Sequence, residues 1–389
     1  MGAFSYQGRF PGASPIVPLR LGIDAHAVES DGSGNCTYIR GLLHALLDID
    51  PRHTYILYVT DKNHPFFREW GPPPNVVLRE IPIRNPLIRI SWHLARLSRR
   101  DHLDILHVQY IAPPLYGGRL VVTIHDLGFL HVPRTFSRFF NLRSRILVRR
   151  TALKAAHIIT GSAFSRDDIL QAYGLPPSRV TTIPYGISPS FTRSVPEEEI
   201  RGVTERLGIV RPYILCVGRL NPRKNLMALA TAFAALKAAP GIPHSLVLAG
   251  RKDYASAQVI RSVAAAAGQD VVFTGFVRDK DLPALYRGAD VFVYPSLFEG
   301  VGLPVLEAMA AGVPVITSCT SSLAETAADA AVTVDPLNTH KLAAALREMI
   351  VNPEMRRKFR EKGTARAAAF TWKETARRTL DVYRAVAAG

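Results

Sequence analysis

One feature limits what this chain can fold into more than any other: short, β-branched, almost continuously apolar runs alternate with longer stretches of helical periodicity. "LRLGIDA", "TYILYVT", "DILHVQY", "LVVTIHD" and "AHIITGS" are strand candidates in the first half, and "YILCVG", "SLVLAG", "VVFTGF", "VFVYPS" and "PVITS" resume the pattern after residue 210. Strands apolar on both faces and joined through helices imply parallel sheets covered on both sides. Ten such strands exceed one comfortable sheet, and the polar stretch "SPSFTRSVPEEEIRGVTERLG" (188–208) separates two sets of five. The expected fold is therefore α/β, with two doubly wound Rossmann-like domains facing each other across a cleft. The reading places them at 19–190 and 191–370, with a basic helix over 371–389 packing back towards the first domain. Residues 1–18 fit no element and are expected to be mobile. In such sheets ligands bind beyond the carboxyl ends of the strands.

Composition adds limits. A chain of 389 residues, 48% hydrophobic and 21% charged, can bury two ordinary cores and is not a disordered polymer. No apolar run reaches the roughly 18 to 20 residues that span a bilayer. The amino terminus lacks a basic start followed by an apolar stretch, so no signal peptide is expected. Cys36, Cys216 and Cys319 are odd in number and widely spaced. They read as reduced thiols of a cytoplasmic protein, neither a disulfide framework nor a zinc site. The net charge of +16 points to an acidic partner, substrate or surface.

The densest chemistry lies in "PSLFEGVGLPVLEAMAAGVPVI" (295–316), where Glu299 and Glu307 bracket glycine, proline and apolar residues. "LFEGVGL" is the loop after a strand, and a helix is expected from Pro304, which suits a first helical position. Gly300 and Gly302 leave backbone N–H groups uncovered ahead of that helix, a setting for a phosphate. Glu307 is placed in the first turn, where the helix dipole favours a carboxylate. Two acceptor-only groups flanking a phosphate-sized nest suit a sugar nucleotide, with sugar hydroxyls at one end and ribose hydroxyls at the other. A surface turn with a helix-stabilising Glu would explain the same residues. A second strand–turn–helix, "YILCVGRLNPRKNLMAL", brings Arg219 and Lys224 to the same sheet edge, where two cations would neutralise a diphosphate. A solvated charge pair is the plainer reading there.

Taken together, "GRLNPRKN", "GFVRDKDLPALYRGADVFVYPSLFEGVGLPVLEAMAAGVPVI" and "SSLAETAADAAVTVDP" resemble the carboxyl-terminal half of the family 4 retaining glycosyltransferases of GT-B fold, in particular mannosyltransferase-like members that build polysaccharides and glycolipids. The amino-terminal half matches more loosely, through "GSGNCTYIRGLL", "VTIHDL" and "ITGSAFSRDDI". The resemblance implies that Glu299 binds the donor sugar, Glu307 the ribose, and Arg219 and Lys224 the diphosphate, with Gly300, Val301, Gly302 and Leu303 forming the loop around sugar and phosphate. Val301 departs from the Phe usual between those glycines. His125 matches the family histidine beside the reacting carbon. Gly32, Ser33 and Gly34 match the amino-terminal glycine loop; as a dinucleotide fingerprint they fail, because Thr37 stands where a third glycine is needed. Asp126 either orients His125 or caps the next turn.

The implied activity is retaining, metal-independent hexosyl transfer to a saccharide or lipid-linked acceptor, with no cofactor. The "DID" at 48–50 ends an amphipathic helix before Pro51 and reads as structural, not as a metal site. No Ser or Cys stands in an activating setting for a covalent nucleophile. Asp279, two residues after Val277, occupies the position where guanine-binding relatives carry an acid, which favours GDP-mannose, a UDP-sugar being the other candidate. The alternatives are a sugar-nucleotide epimerase on the same fold and a non-catalytic nucleotide-sugar-binding protein; a hydride-transferring oxidoreductase lacks its fingerprint.

One charge concentration remains. Between residues 79 and 154 fourteen Lys or Arg face four Asp or Glu. In "NPLIRISWHLARLSRR" and "FSRFFNLRSRILVRRTALK" arginines interleave with Trp92, Leu94, Phe139, Phe140, Ile146 and Leu147, as in a helix lying on an anionic membrane surface. Core packing of those apolar residues is the competing explanation. No nucleic-acid motif accompanies the charge.

Overall fold

The computed structural model describes residues 17–83, 85–252 and 256–389, so the expectation for residues 1–18 falls almost wholly outside the described residues. The amino-terminal domain is a parallel sheet of β1 (Arg20–Asp24), β2 (Thr54–Val59), β3 (Val76–Glu80), β4 (Ile105–Gln109), β5 (Leu120–Thr123), β6 (His157–Thr160) and β7 (Val180–Thr182), in the order β3-β2-β1-β4-β5-β6-β7. The second domain holds β8 (Tyr213–Val217), β9 (Ser245–Ala249), β10 (Val271–Gly275), β11 (Val291–Tyr294), β12 (Val315–Ser318) and β13 (Val332–Val334), ordered β10-β9-β8-β11-β12-β13. All pairings in both sheets are parallel.

The sequence-derived sets of five are thus corrected to sheets of seven and six. β3, β7 and β13 were not expected because all three are edge strands and only partly buried. Residues at a sheet edge need not be apolar on both faces, so the signal that found β4 and β5, buried at every position, is absent there. The separating stretch is also more ordered than its polarity suggests. It contains the helix Glu197–Arg206, which turns Ile200 and Val203 inward.

Strand order reverses between β1 and β4 in the first sheet and between β8 and β11 in the second. A crevice opens at such a switch point because the flanking crossovers leave in opposite directions. The loops that follow β8 and β11 are those carrying Lys224 and Glu299.

The chain returns at its end. The helix Trp372–Ala388 lies on the helix Gly34–Ile49 of the amino-terminal domain, with Arg384 paired to the buried Asp50 at 3.0 Å and the Tyr383 hydroxyl bonded to His107 at 2.6 Å. Asp50, the last residue of "DID", also holds Arg52 at 2.8 Å. Where the chain crosses between domains the two passages touch, Ile187 N–H donating to the Phe370 carbonyl at 3.1 Å.

Candidate active site

β11 ends at Tyr294, and the loop behind it delivers Glu299 into the cleft floor, 7% exposed. Its backbone is fixed from both sides: its N–H donates to the Ser321 hydroxyl at 3.0 Å, and the Ser322 hydroxyl donates to its carbonyl at 2.7 Å. Gly302, at φ 85°, then turns the chain into the helix Leu303–Ala310, since a left-handed residue just ahead of a helix suits glycine. Val301 is buried against Gly161 of the other domain.

Behind β8, a 3-10 turn over Pro222–Lys224 aims Lys224 at Glu299. Its ammonium donates to Glu299 Oε1 at 2.7 Å, bonds the Tyr294 hydroxyl, and lies 4.5 Å from the centre of the Tyr294 ring. Burial pulls the Lys224 ammonium down despite Glu299 beside it. Burial pushes Glu299 up, but Lys224 and Arg223 more than offset it and hold the carboxyl below the usual range. Arg219 does not join this contact. It is exposed and forms no ion pair with Glu299.

Glu307 corrects an expectation. The helix begins one residue earlier than Pro304, so Glu307 falls beyond the first turn, where the dipole no longer helps. Its Oε2 accepts from the Tyr286 hydroxyl at 2.9 Å, and burial pushes its carboxyl up to about 7. A helix N-terminus would have pulled it down.

From the amino-terminal domain, β5 delivers His125, which is 8% exposed. Nδ1 is bonded to the Tyr185 hydroxyl at 2.6 Å and Nε2 to Gln109 Oε1 at 2.8 Å, and the Tyr38 ring meets it edge-on at 4.9 Å. Burial pulls the imidazole down to about 4, so it is neutral near pH 7. The Ser165 hydroxyl donates towards both the His125 carbonyl, at 3.3 Å, and the Gly300 carbonyl, at 3.2 Å, stitching the domains at this point. Ser162 donates to Gly300 at 2.7 Å. Asp126 leaves the His125 ring alone: Oδ1 caps Gly128 N–H at 2.9 Å and Oδ2 pairs with Arg223 at 3.0 Å across the cleft.

The far end of the cleft is framed by Gly32, Ser33 and Gly34. Ser33 caps the helix Gly34–Ile49 by accepting from Cys36 N–H at 3.2 Å, and Gly32 lies against Phe276 of the second domain. Val277 is buried, while the Asp279 carboxylate points out and pairs with Arg40 of the amino-terminal domain at 3.2 Å.

Glu299, Lys224 and the His125 backbone thus converge, Glu307 and Asp279 stand further along, and Arg219 waits at the rim. Sequence reasoning passed over Arg223, although it precedes Lys224 in "NPRKN", because helical or extended spacing would turn adjacent residues apart. Both reach Glu299 because its carboxylate lies between the diverging side chains, Arg223 Nη2 3.8 Å from Oε2 and Lys224 Nζ 2.7 Å from Oε1. Among the described residues no three His, Cys, Asp or Glu converge to hold a metal ion.

Known proteins share this chain's family and fold. The family described as Glycosyl transferases group 1 matches residues 205–366, and Glycosyltransferase Family 4 matches residues 34–191. The O-antigen chain mannosyltransferase B of Escherichia coli is 29% identical over 313 residues, spanning 77% of this chain and 81% of its own. The alpha-maltose-1-phosphate synthase of Mycolicibacterium smegmatis is 32% identical over 301 residues, 72% of this chain and 76% of its own. Anabaena HepE, solved with UDP-glucose, shares the fold at a TM-score of 0.73 and 18% identity, over 94% of this chain and 99% of that one.

Proposed function

The chain belongs to glycosyltransferase family 4, with the paired sheets of the GT-B fold, and from that premise we propose that it transfers mannose from GDP-mannose to a saccharide or lipid-linked acceptor with retention of configuration. It is a hexosyltransferase of the polysaccharide-building kind, and its donor is a nucleotide sugar. The observation that carries the finer reading is the Lys224–Glu299 contact of 2.7 Å at the switch point, opposite His125. Glu299 would accept hydroxyl groups of the donor sugar, Glu307 those of the ribose. Lys224, joined by Arg219 from the rim, would take the diphosphate, whose negative charge grows as the glycosidic bond breaks. In a retaining reaction of this geometry the acceptor hydroxyl attacks from the face the diphosphate leaves, and a phosphate oxygen takes its proton. The mannosyltransferase relative and Asp279 support mannose and guanine; HepE, solved with UDP-glucose, keeps UDP-sugars as the other candidate. No relative reported above is an epimerase, and that alternative is not favoured.

Incubation with GDP-mannose and with UDP-glucose in excess EDTA, followed by NMR of the product's anomeric signal, tests the proposal. An α-linked product from the α-linked donor is expected. An inverted signal, or activity restored only by manganese, would sink it.

The charged face of the amino-terminal domain supports a membrane-facing acceptor. In the helix Arg138–Lys154 the buried positions are Ser144, Val148, Thr151 and Ala152, whereas Phe139, Leu142 and Ile146 are 71%, 62% and 50% exposed. Core packing therefore does not explain those large apolar residues. Trp92 is 73% exposed on the neighbouring helical segment. Leu94 and Arg89 do not belong to this face: Leu94 is fully buried, and Arg89 is buried against Asp24 at 3.0 Å. Exposed apolar side chains among arginines suit peripheral contact with anionic lipid. Among the described residues no helix is long and apolar enough to cross a membrane.

A further inference from the structure

Four side chains of alternating charge run in contact across the cleft floor. Asp126 Oδ2 meets Arg223 Nη1 at 3.0 Å, Arg223 Nη2 lies 3.8 Å from Glu299 Oε2, and Glu299 Oε1 accepts from Lys224 at 2.7 Å. Each carboxylate oxygen of Glu299 therefore faces a different cation. Arg223 also has contacts away from Glu299: its guanidinium lies 5.9 Å from the centre of the Phe136 ring, and its backbone carbonyl accepts from Leu297 N–H at 2.9 Å.

This arrangement sets a problem for the donor site proposed above. Lys224 is engaged with Glu299, yet a diphosphate entering the cleft draws Lys224 to itself. Glu299 would then be a buried carboxylate stripped of its closest partner, a state costly enough that such groups usually take up a proton. A protonated Glu299 is a weaker acceptor for sugar hydroxyls. The other polar groups beside it, Ser296, Tyr294 and Cys216, supply no positive charge, and Asp126 sits on the far side of Arg223.

We propose that Arg223 is a positioning residue that keeps Glu299 ionised and in place while Lys224 moves to the donor diphosphate, and that Asp126 anchors it for that role from the opposite domain. Arginine suits the task because its guanidinium does not surrender its proton and its planar fork can serve two carboxylates at once. The role rests on the donor reading above and acts through Glu299, without contact between Arg223 and the sugar. Because Asp126 and Arg223 belong to different domains, any parting of the domains would break their contact and remove that support for Glu299.

Steady-state kinetics with the donor that the wild-type enzyme uses tests this. Arg223→Gln is expected to raise the donor KM roughly tenfold or more, the loss of one opposite charge close to a carboxylate, while the acceptor KM stays within about twofold. Arg223→Lys should recover most of the loss, which a purely structural role would not produce. Asp126→Asn placed on Arg223→Gln should add nothing further, since Asp126 acts on Glu299 only through Arg223. A wild-type donor KM in Arg223→Gln, or a Lys variant no better than Gln, overturns the proposal and leaves the donor reading intact. If the wild-type protein transfers sugar from no nucleotide sugar, the donor reading fails first and this proposal falls with it. Should Arg223→Gln not fold, Asp126→Asn alone still decides: a raised donor KM there supports the proposal, and a wild-type donor KM overturns it.

Discussion

The carbonyl oxygen of His125 and the α-carbon of Gly300 approach so closely across the cleft that a Cβ built on Gly300 would stand 2.1 Å from that oxygen. No real side-chain carbon tolerates such a distance, so glycine at 300 is a condition for the two domains to meet as they do. The contact joins the residue beside Glu299 to the end of β5.

Gly300→Ala should therefore hold the domains apart while leaving each domain folded. Because an error of about 1 Å in a catalytic constellation can cost on the order of a hundredfold, kcat/KM is expected to drop by about that factor with the melting curve little changed. An alanine variant with normal kcat/KM would show that closure does not need this contact.

If Glu307 accepts the ribose hydroxyls as proposed, donor binding depends on pH. With its carboxyl pushed up to about 7, Glu307 is largely protonated at pH 6 and ionised at pH 8, and the ionised form is the better acceptor for ribose hydroxyls. Donor affinity should tighten as pH rises through this window, and the step should vanish in Glu307→Gln. At pH 8 that variant loses charged hydrogen bonds of about 1.5 to 3 kcal/mol each, or roughly tenfold to 150-fold in Kd. Calorimetric titration at both pH values checks it. The sign for stability is opposite: a raised folded-state carboxyl contributes stability that is present below its unfolded value and is lost as pH rises through about 7.

Acid should unfold the protein through its buried histidines. Burial pulls His107 down to about 3, and His125 and His157 down to about 4. A depressed histidine contributes stability that is present above its unfolded value, near 6.5, and lost as pH falls towards the folded value, at about 1.4 kcal/mol per unit. Melting temperature should fall steadily from pH 6.5 to pH 4, and His157→Gln should flatten part of that slope. An unchanged slope would show that other groups dominate the acid limb.

The arginine-rich face should bind vesicles containing anionic lipid and release them as salt is raised, since each basic residue near such a surface is worth about 1 kcal/mol. Replacing Arg145, Arg149 and Arg150 with Glu should abolish sedimentation with the vesicles. Equal recovery on neutral and anionic vesicles would remove the membrane proposal.

Much of this was readable in the residues. Burial on both faces makes β4, β5, β8 and β11 stand out, and the glycine loop after β11 announces Glu299 and Glu307 because few other settings combine those residue types. What could not be read was partnership. Tyr286 is far from Glu307 in sequence, and nothing local says that it will pull that carboxylate into a half-buried pocket where the helix dipole is spent. Arg223 and Asp126 meet only because two domains close. The orientation of the helix Arg138–Lys154 escaped for a subtler reason: small residues, not large ones, form its inward face, so hydrophobicity does not mark it.

The paired crossing at Ile187 and Phe370 has a mechanical consequence. Two passages of chain lying side by side and bonded to each other act as a pivot with a defined axis, unlike a single tether, which would permit swivelling in any direction. If the domains part to admit a substrate, this pivot would guide them back along one arc and restore the registration between Gly300 and His125 without a search. A cut in either passage is expected to remove that guidance.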